Sequence, residues 1–249
     1  MKKRPYILSV AGFDPSGGAG LVADCKTFEA LKCQGLSVCT ANTIQTDNEF
    51  FECIWTDIEI IKRQITTLFN RFKIDVVKIG IVENWETMSQ ILNLLISLNS
   101  EVKIIVDPIL SASANFNFQT DFDQELFDTI LEKIYVLTPN HEEIQQLYPQ
   151  LTIEETIKHI STKTNLLLKG GHNEAQKGKD YLYTQQGKIH PLNPKYITYP
   201  KHGSGCVLSS AVAAHLALEF PLLKSTFRAK RFTEKYLGSN KELLGNFRF

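Results

Sequence analysis

Short, nearly continuous apolar runs recur along this chain, separated by longer stretches whose apolar residues return every three or four positions. Tyr6–Val10, Val76–Ile79, Ile104–Val106, Tyr135–Leu137 and Leu166–Leu168 are such runs. A strand that is apolar on both faces must be covered on both, so the pattern predicts a mostly parallel sheet with helices on each side. Leu21, Cys25, Phe28 and Leu31 stand at helical spacing, with Gly35 placed as a C-terminal cap, and Trp85, Met88, Leu92 and Leu95 line a second helix. Ser37–Gln45 is β-rich. Asp180–Tyr183 and Lys188–His190, joined through Gln185-Gln186-Gly187, predict a hairpin added to the sheet. A chain of 249 residues, 43% hydrophobic, can bury a full core. With no repeat or linker, the expectation is one α/β domain over residues 1–249, a three-layer αβα architecture with a central, mostly parallel sheet.

Charge narrows the partners. Lys+Arg and Asp+Glu both number 27, so no basic field points to nucleic acid or an anionic membrane, and a small molecule is expected. Five cysteines without a C-x-x-C pair argue against a disulfide framework or a zinc site and for a reducing compartment. The basic start and short apolar run resemble a leader, but Asp14-Pro15 interrupts the run and a first buried strand explains it better. No stretch approaches the roughly 20 apolar residues of a membrane span. A soluble, cytoplasmic protein is expected.

Asp14, Gln45, Gly80, Asp107, Asn140 and Lys169 all fall at or just after the C-terminal end of an expected strand. In open parallel sheets that edge binds ligands. Gly203-Ser204-Gly205-Cys206, feeding the apolar helical run Val207–Leu218, aims free N–H groups and the positive end of a helix dipole at one spot, an anion site. The same dipole is expected to acidify the Cys206 thiol; the plain alternative is a tight turn and a small buried hydrophobe. The loop Gly12–Gly20 contains Gly18-x-Gly20-x-x-Ala23, a loose dinucleotide fingerprint. The following strand ends in Thr43-Ile44-Gln45 without the ribose-binding acid, which weakens that reading, and no Walker A loop is present. Gln45 offers an amide donor beside an acceptor, complementary to an aminopyrimidine edge. Asp24, one turn into the first helix, reads by default as a dipole-complementing acid. Asn140 and Glu143 have the spacing of an N-cap with a capping-box acid, or of oxygen ligands for Mg²⁺. Asp107 closes an apolar strand, where a carboxylate needs a partner or a metal. Lys169 can neutralise a phosphate. His141, His172 and His202 have no metal-binding spacing and read as loop residues, with His202 adjacent to the proposed chemistry.

The ordered blocks Ala11-Gly12-x-Asp14-Pro15-Ser16-Gly17-Gly18-Ala19-Gly20-x-x-Ala23-Asp24, Thr43-x-Gln45, Val77-Lys78-Ile79-Gly80, Val106-Asp107-Pro108, Thr138-Pro139-Asn140-x-x-Glu143, Lys169-Gly170-Gly171-His172 and His202-Gly203-Ser204-Gly205-Cys206 resemble the ribokinase-like superfamily. Within it they resemble the hydroxymethylpyrimidine/phosphomethylpyrimidine kinases of thiamine biosynthesis. The resemblance implies ATP- and Mg²⁺-dependent phosphorylation of an aminopyrimidine alcohol and of its monophosphate. It gives Cys206 the role of base and the amides of Gly203, Ser204, Gly205 and Cys206 the role of anion hole. Gly12, Asp24 and Gln45 would hold the pyrimidine, Lys169 and Asn140 the ATP, and Asp107 and Glu143 the Mg²⁺. It also implies a homodimer. The chain departs from the family pattern at Phe13, at Ser204 (usually Thr), at Lys201 (usually Thr) and over residues 111–118. A pyridoxal or pyridoxine kinase on the same scaffold, and a pyrimidine-binding protein without turnover, are the competing readings.

Overall fold

The computed structural model describes residues 4–109, 123–171 and 178–248; His172 and the 111–118 loop lie outside them. Among the described residues, nine strands form one sheet: β1 (Tyr6–Phe13), β2 (Gln34–Gln45), β3 (Phe50–Trp55), β4 (Ile74–Ile79), β5 (Lys103–Val106), β6 (Val136–Leu137), β7 (Asn165–Leu168), β8 (Asp180–Tyr183) and β9 (Ile189–Leu192). The order is β3-β2-β1-β4-β5-β6-β7-β8-β9. The pairs from β2 across to β7 are parallel, whereas β3, β8 and β9 join antiparallel. The expected mostly parallel sheet and its added hairpin are both present, with β9 beginning and ending later than the hairpin expected from Lys188–His190.

The helices are α1 (Gly20–Ala30), α2 (Ile58–Arg71), α3 (Trp85–Leu98), α4 (Gln124–Leu131), α5 (His141–Leu147), α6 (Ile153–Lys163), α7 (Ser204–Ala217) and α8 (Leu222–Leu237). Two cores flank the sheet and make three layers. Ile7, Val76, Ile105, Val136 and Leu167 face α1, α7 and α8. Leu8, Val77, Ile104, Leu137 and Leu166 face the α2–α6 side. Consecutive strand residues thus enter opposite cores, which is why these runs are apolar at every position. Ser9 in β1 and Lys78, next to last in β4, are polar exceptions in these runs, and neither has any exposure.

Two local expectations are corrected. Helix α1 ends at Ala30 with Leu31 as its cap, and Gly35 lies inside β2. A Cβ at Gly35 would stand 3.2 Å from both Cys25 Sγ and Phe28 Cδ2, so this glycine lets α1 pack closely on the strand rather than ending the helix. Helix α7 starts at Ser204, within the glycine turn instead of after it.

Candidate active site

The chain reverses direction of winding at β1, whose neighbours are β2 and β4, and ligands of open α/β sheets bind at the strand ends beside such a switch. Asp14 follows β1, Gln45 ends β2, and Gly80, Asp107 and Lys169 follow β4, β5 and β7. Asn140 lies past β6 and bridges to Lys169. The six strand-end residues share one edge, as expected.

The Gly203 turn is built by backbone contact. Gly203 caps α7 with φ 71°, a left-handed conformation that glycine adopts without strain. A Cβ there would lie 2.0 Å from the Gly18 carbonyl oxygen and 2.7 Å from Ala19 Cα. The turn therefore seats directly on the N-terminal glycine loop. His202 ties the same two segments by a 2.9 Å contact between Nε2 and Asp14 Oδ2. Asp14 also accepts from the Ser16 and Ala19 amides. Burial pushes this carboxyl up, but the bonds from His202, Ser16 and Ala19 outweigh it and hold it below the usual carboxylate range. The first α7 bond runs from Val207 N–H to Gly203 O, so the Ser204, Gly205 and Cys206 amides lie ahead of the helix's own bonding. A Cβ on Gly205 would occupy the space beside Lys169 Nζ, at 3.2 Å, and Asp107 Oδ2, at 3.6 Å. That glycine leaves room between the helix start and the charged pair.

Lys169 Nζ donates to Asp107 Oδ1 at 2.7 Å and stands 3.6 Å from Glu143 Oε2. Thr138 and Ser209 hydroxyls donate to Asp107 as well. Burial raises the Asp107 pKa, yet Lys169 and then Lys78 more than offset it and keep the carboxyl below its usual range. Glu143 goes the other way: burial pushes it up despite Lys169. The Asn140–Glu143 spacing is realised as a capping box at the start of α5. Asn140 Oδ1 accepts from the Glu142 and Glu143 amides, and Glu143 Oε2 accepts from Asn140 N–H at 2.7 Å.

Gln45 is half-buried, and its Nε2 donates to Thr43 Oγ1, whose hydroxyl donates to the Phe13 carbonyl. Gly12 lies beside Gly20, where a Cβ would stand 2.2 Å from the Gly12 carbonyl oxygen. Asp24 is not on the open edge. It is wholly buried, accepts from Ser9 and Ser210 hydroxyls at 2.6 Å each, and pairs with Lys78 Nζ at 2.9 Å. The default reading of Asp24 as a dipole-complementing acid is corrected accordingly: it lies beyond the first turn of α1 and is paired with Lys78.

The acidified thiol is also corrected. Burial pushes the Cys206 pKa up to about 11, against the pull of Lys78, and Asp24 and Asp107 add to the rise. The dipole expectation took account of the helix end and not of the burial. Sequence reasoning gave no role to Lys78, Ser209 or Ser210; an ionisable residue inside an apolar strand is the signal that could have assigned one to Lys78.

The family model for phosphomethylpyrimidine kinase matches residues 14–246. A hydroxymethylpyrimidine/phosphomethylpyrimidine kinase of Staphylococcus aureus (strain Mu50) is 31% identical over 244 residues, 93% of this chain and 87% of that protein. The crystal structure of a phosphomethylpyrimidine kinase from Clostridium difficile 630 is similar at TM-score 0.76 and 27% identity, with 94% of this chain and 98% of that one covered. A pyridoxal kinase from Staphylococcus aureus in complex with pyridoxal is similar at TM-score 0.81 and 25% identity, with 99% and 92% covered.

Proposed function

Because this chain belongs to the phosphomethylpyrimidine kinase family and is therefore a kinase, we propose that it phosphorylates 4-amino-5-hydroxymethyl-2-methylpyrimidine and then its monophosphate, with ATP as donor, in thiamine biosynthesis. The observation that carries this reading is the seating of the Gly203 turn on Gly18–Ala19, with Gly205 open towards Lys169 and Asp107. It supports an anion site bordered on one side by Gly12 and Gln45 and on the other by the charged strand ends. The reducing cytoplasm and a homodimer go with this proposal; all five cysteines are free. Among the described residues, no helix is long and apolar enough to cross a membrane.

In the proposed reaction, Gln45 presents its amide to the amino and ring-nitrogen edge of the pyrimidine, and the Gly12 backbone lines the same pocket. The Ser204, Gly205 and Cys206 amides receive the oxygens of the transferring group. Preorganised donors of this kind are each worth roughly 10²–10³ in rate. Lys169 meets the ATP phosphates with its ammonium, and Asn140 sits beside it at the start of α5. Asp24 works from below, holding Lys78 beneath the turn instead of touching substrate.

Two carboxylates on either side of a lysine suit Mg²⁺, which kinases bind through one or two carboxylates plus phosphates. Asp107 and Glu143 are the residues that would hold it. When bound, it neutralises charge on the phosphate oxygens. Cys206 faces the acceptor hydroxyl in this proposal and takes its proton. Only the thiolate can do so, and with a pKa near 11 about one site in a thousand holds it at pH 8. A loose phosphoryl-transfer transition state places most of the catalytic demand on positioning and charge, which fits a base held in reserve.

The similarity to a pyridoxal kinase favours a second reading, pyridoxal as acceptor, for which Gln45 has no amino-pyrimidine edge to recognise. The test is ATP consumption with Mg²⁺ across the hydroxymethylpyrimidine, its monophosphate, pyridoxal, pyridoxine and no acceptor. Turnover on the first two confirms the proposal, and turnover on pyridoxal alone replaces it with the second reading. Acceptor-independent or absent turnover refutes both.

A further inference from the structure

The chain does not run away from the fold after α8. It returns across the turn just described. Lys201, only 8% exposed, donates from Nζ to the Asn240 carbonyl at 2.7 Å and the Glu242 carbonyl at 2.6 Å. The next residue, His202, donates its backbone N–H to the Leu243 carbonyl at 3.0 Å, and the Tyr236 hydroxyl donates to the His202 carbonyl at 3.3 Å. On the other side of the seam, Leu244 Cδ2 lies 2.7 Å from where a Cβ on Gly18 would stand. The returning segment is also tied to itself, through Asn240 Nδ2 to the Leu244 carbonyl and Asn246 N–H to Ser239 Oγ. Its end is pinned by Phe247, whose ring centre is 4.8 Å from that of Tyr236 and 5.7 Å from Lys26 Nζ. Lys26 in turn donates to the Gly17 carbonyl. Residues 239–247 thus touch both sides of the contact between Gly203 and the Gly18–Ala19 loop.

Resting on the kinase reading, we propose that residues 239–247 are a strap that positions the anion turn for phosphoryl transfer, with Lys201 as its clamp. A buried ammonium satisfied by two carbonyls of one segment fixes that segment's path. The fixed segment then fixes the His202 amide, one residue from the cap of α7. Lys201 touches no substrate; it is a positioning residue. Misplacement of catalytic groups by about 1 Å costs on the order of 10²-fold in rate, and a loosened turn loses its aim at the transferring group more than its affinity for ATP.

The test compares wild type, Lys201→Met, Lys201→Arg and a chain ended at Gly238, all at full occupancy of ATP and the hydroxymethylpyrimidine. Lys201→Met is expected to lose roughly 10- to 100-fold in kcat, with the KM for ATP within about twofold of wild type. Lys201→Arg, which can reach two carbonyls, is expected to recover most of the rate. Hydrogen exchange of the peptide spanning residues 202–208 is expected to quicken in Lys201→Met while the thermal midpoint of the whole protein holds. If the shortened chain fails to fold, the two Lys201 variants decide. Wild-type kcat in Lys201→Met, or a loss that only follows the unfolded fraction, overturns the proposal. If wild type turns over no acceptor, the kinase reading has failed separately. The exchange experiment still decides the strap, because unchanged protection at residues 202–208 refutes it.

Discussion

Replacing Lys78 by Met tests whether the floor of the site is an ion pair or merely a packed layer. Lys78 and Asp24 are both without exposure and 2.9 Å apart, and burial's pull on the Lys78 ammonium is more than offset by Asp24, which raises its pKa. Lys78→Met keeps the length and most of the volume of the side chain but leaves Asp24 buried with only the Ser9 and Ser210 hydroxyls. An uncompensated buried charge costs about 3–5 kcal/mol, a large fraction of the roughly 5–15 kcal/mol that holds a domain together. Asp24→Asn strands the ammonium at a similar cost. The double variant Lys78→Met/Asp24→Asn removes both charges and is expected to lie within about 2 kcal/mol of wild type. Urea unfolding, followed by the fluorescence of the two tryptophans, reads the difference. With a slope of about 1–3 kcal/mol per molar, each single variant is expected to lower the midpoint by more than about 1 M, and the double far less than their sum. Additive losses would refute the reasoning, since they would mean that the two side chains stabilise the fold independently. The folded double variant then isolates the effect on chemistry. The Cys206 thiolate then loses the support of Lys78, which outweighs the relief from removing Asp24, so turnover at pH 8 is expected to fall although the fold survives.

Cys206→Ala is expected to lower kcat by orders of magnitude with little loss of stability; in wild type, log kcat/KM should climb with pH towards about 11, a limb the variant lacks. Near wild-type turnover in that variant would leave Cys206 a packing role alone. Gln45→Ala is expected to raise the KM of the pyrimidine well above any change for ATP, and equal effects on both would remove its recognition role. Gly203→Ala must place a Cβ 2.0 Å from the Gly18 carbonyl oxygen at φ 71°, so it is expected to lose both stability and at least about 10²-fold in kcat; unchanged steady-state kinetics would show that the seam can shift without harm. His215 is buried, which pulls its pKa down from 6.5 to about 4 with help from Arg228. Folding therefore favours its neutral form: the contribution is full above about pH 6.5 and is lost as pH falls towards 4, up to about 3 kcal/mol. Thermal midpoints measured from pH 7 to 4 should fall less steeply for His215→Gln than for wild type, and parallel curves would reject the assignment.

Most of the scaffold was legible because the runs Tyr6–Val10, Ile104–Val106 and Leu166–Leu168 are apolar on both faces, which only a doubly covered sheet explains. Knowing where those strands and the β-rich run Ser37–Gln45 stop was enough to align Asp14, Gln45, Asp107 and Lys169 on one edge. The edge strand β3 escaped notice although Phe50–Trp55 is apolar at every position but Glu52: its residues are exposed or half-buried, with Phe51 and Ile54 open to solvent, so it lacks the double cover that marks the central strands. Gly35 was misassigned because a glycine four residues past the last apolar helix position has the same sequence appearance whether it ends the helix or admits it against a strand. The pairings Lys78 with Asp24 and His202 with Asp14 span 54 and 188 residues. No local pattern encodes them, since they come from the register of β4 against β1 and the seating of α7 on the glycine loop.

The burial of Cys206 changes how the proposed chemistry must work. A thiol acidified by the helix end would be charged at rest, and that charge would lie at the same amides that have to receive a phosphoryl group. Two anions cannot both be held by one helix start without mutual repulsion. With the thiol kept neutral, the Ser204, Gly205 and Cys206 amides are left to the transferring group. Negative charge is then present on sulfur only in the minor thiolate form, for the interval before it takes the acceptor's proton. Lys78 is suited to that moment. It is locked in β4 by Asp24 and needs no reorientation, so its support for the thiolate is already in place when the proton moves. The arrangement sacrifices resting basicity for an anion site that phosphate can enter. That trade is consistent with a reaction in which position and charge matter more than the strength of the base.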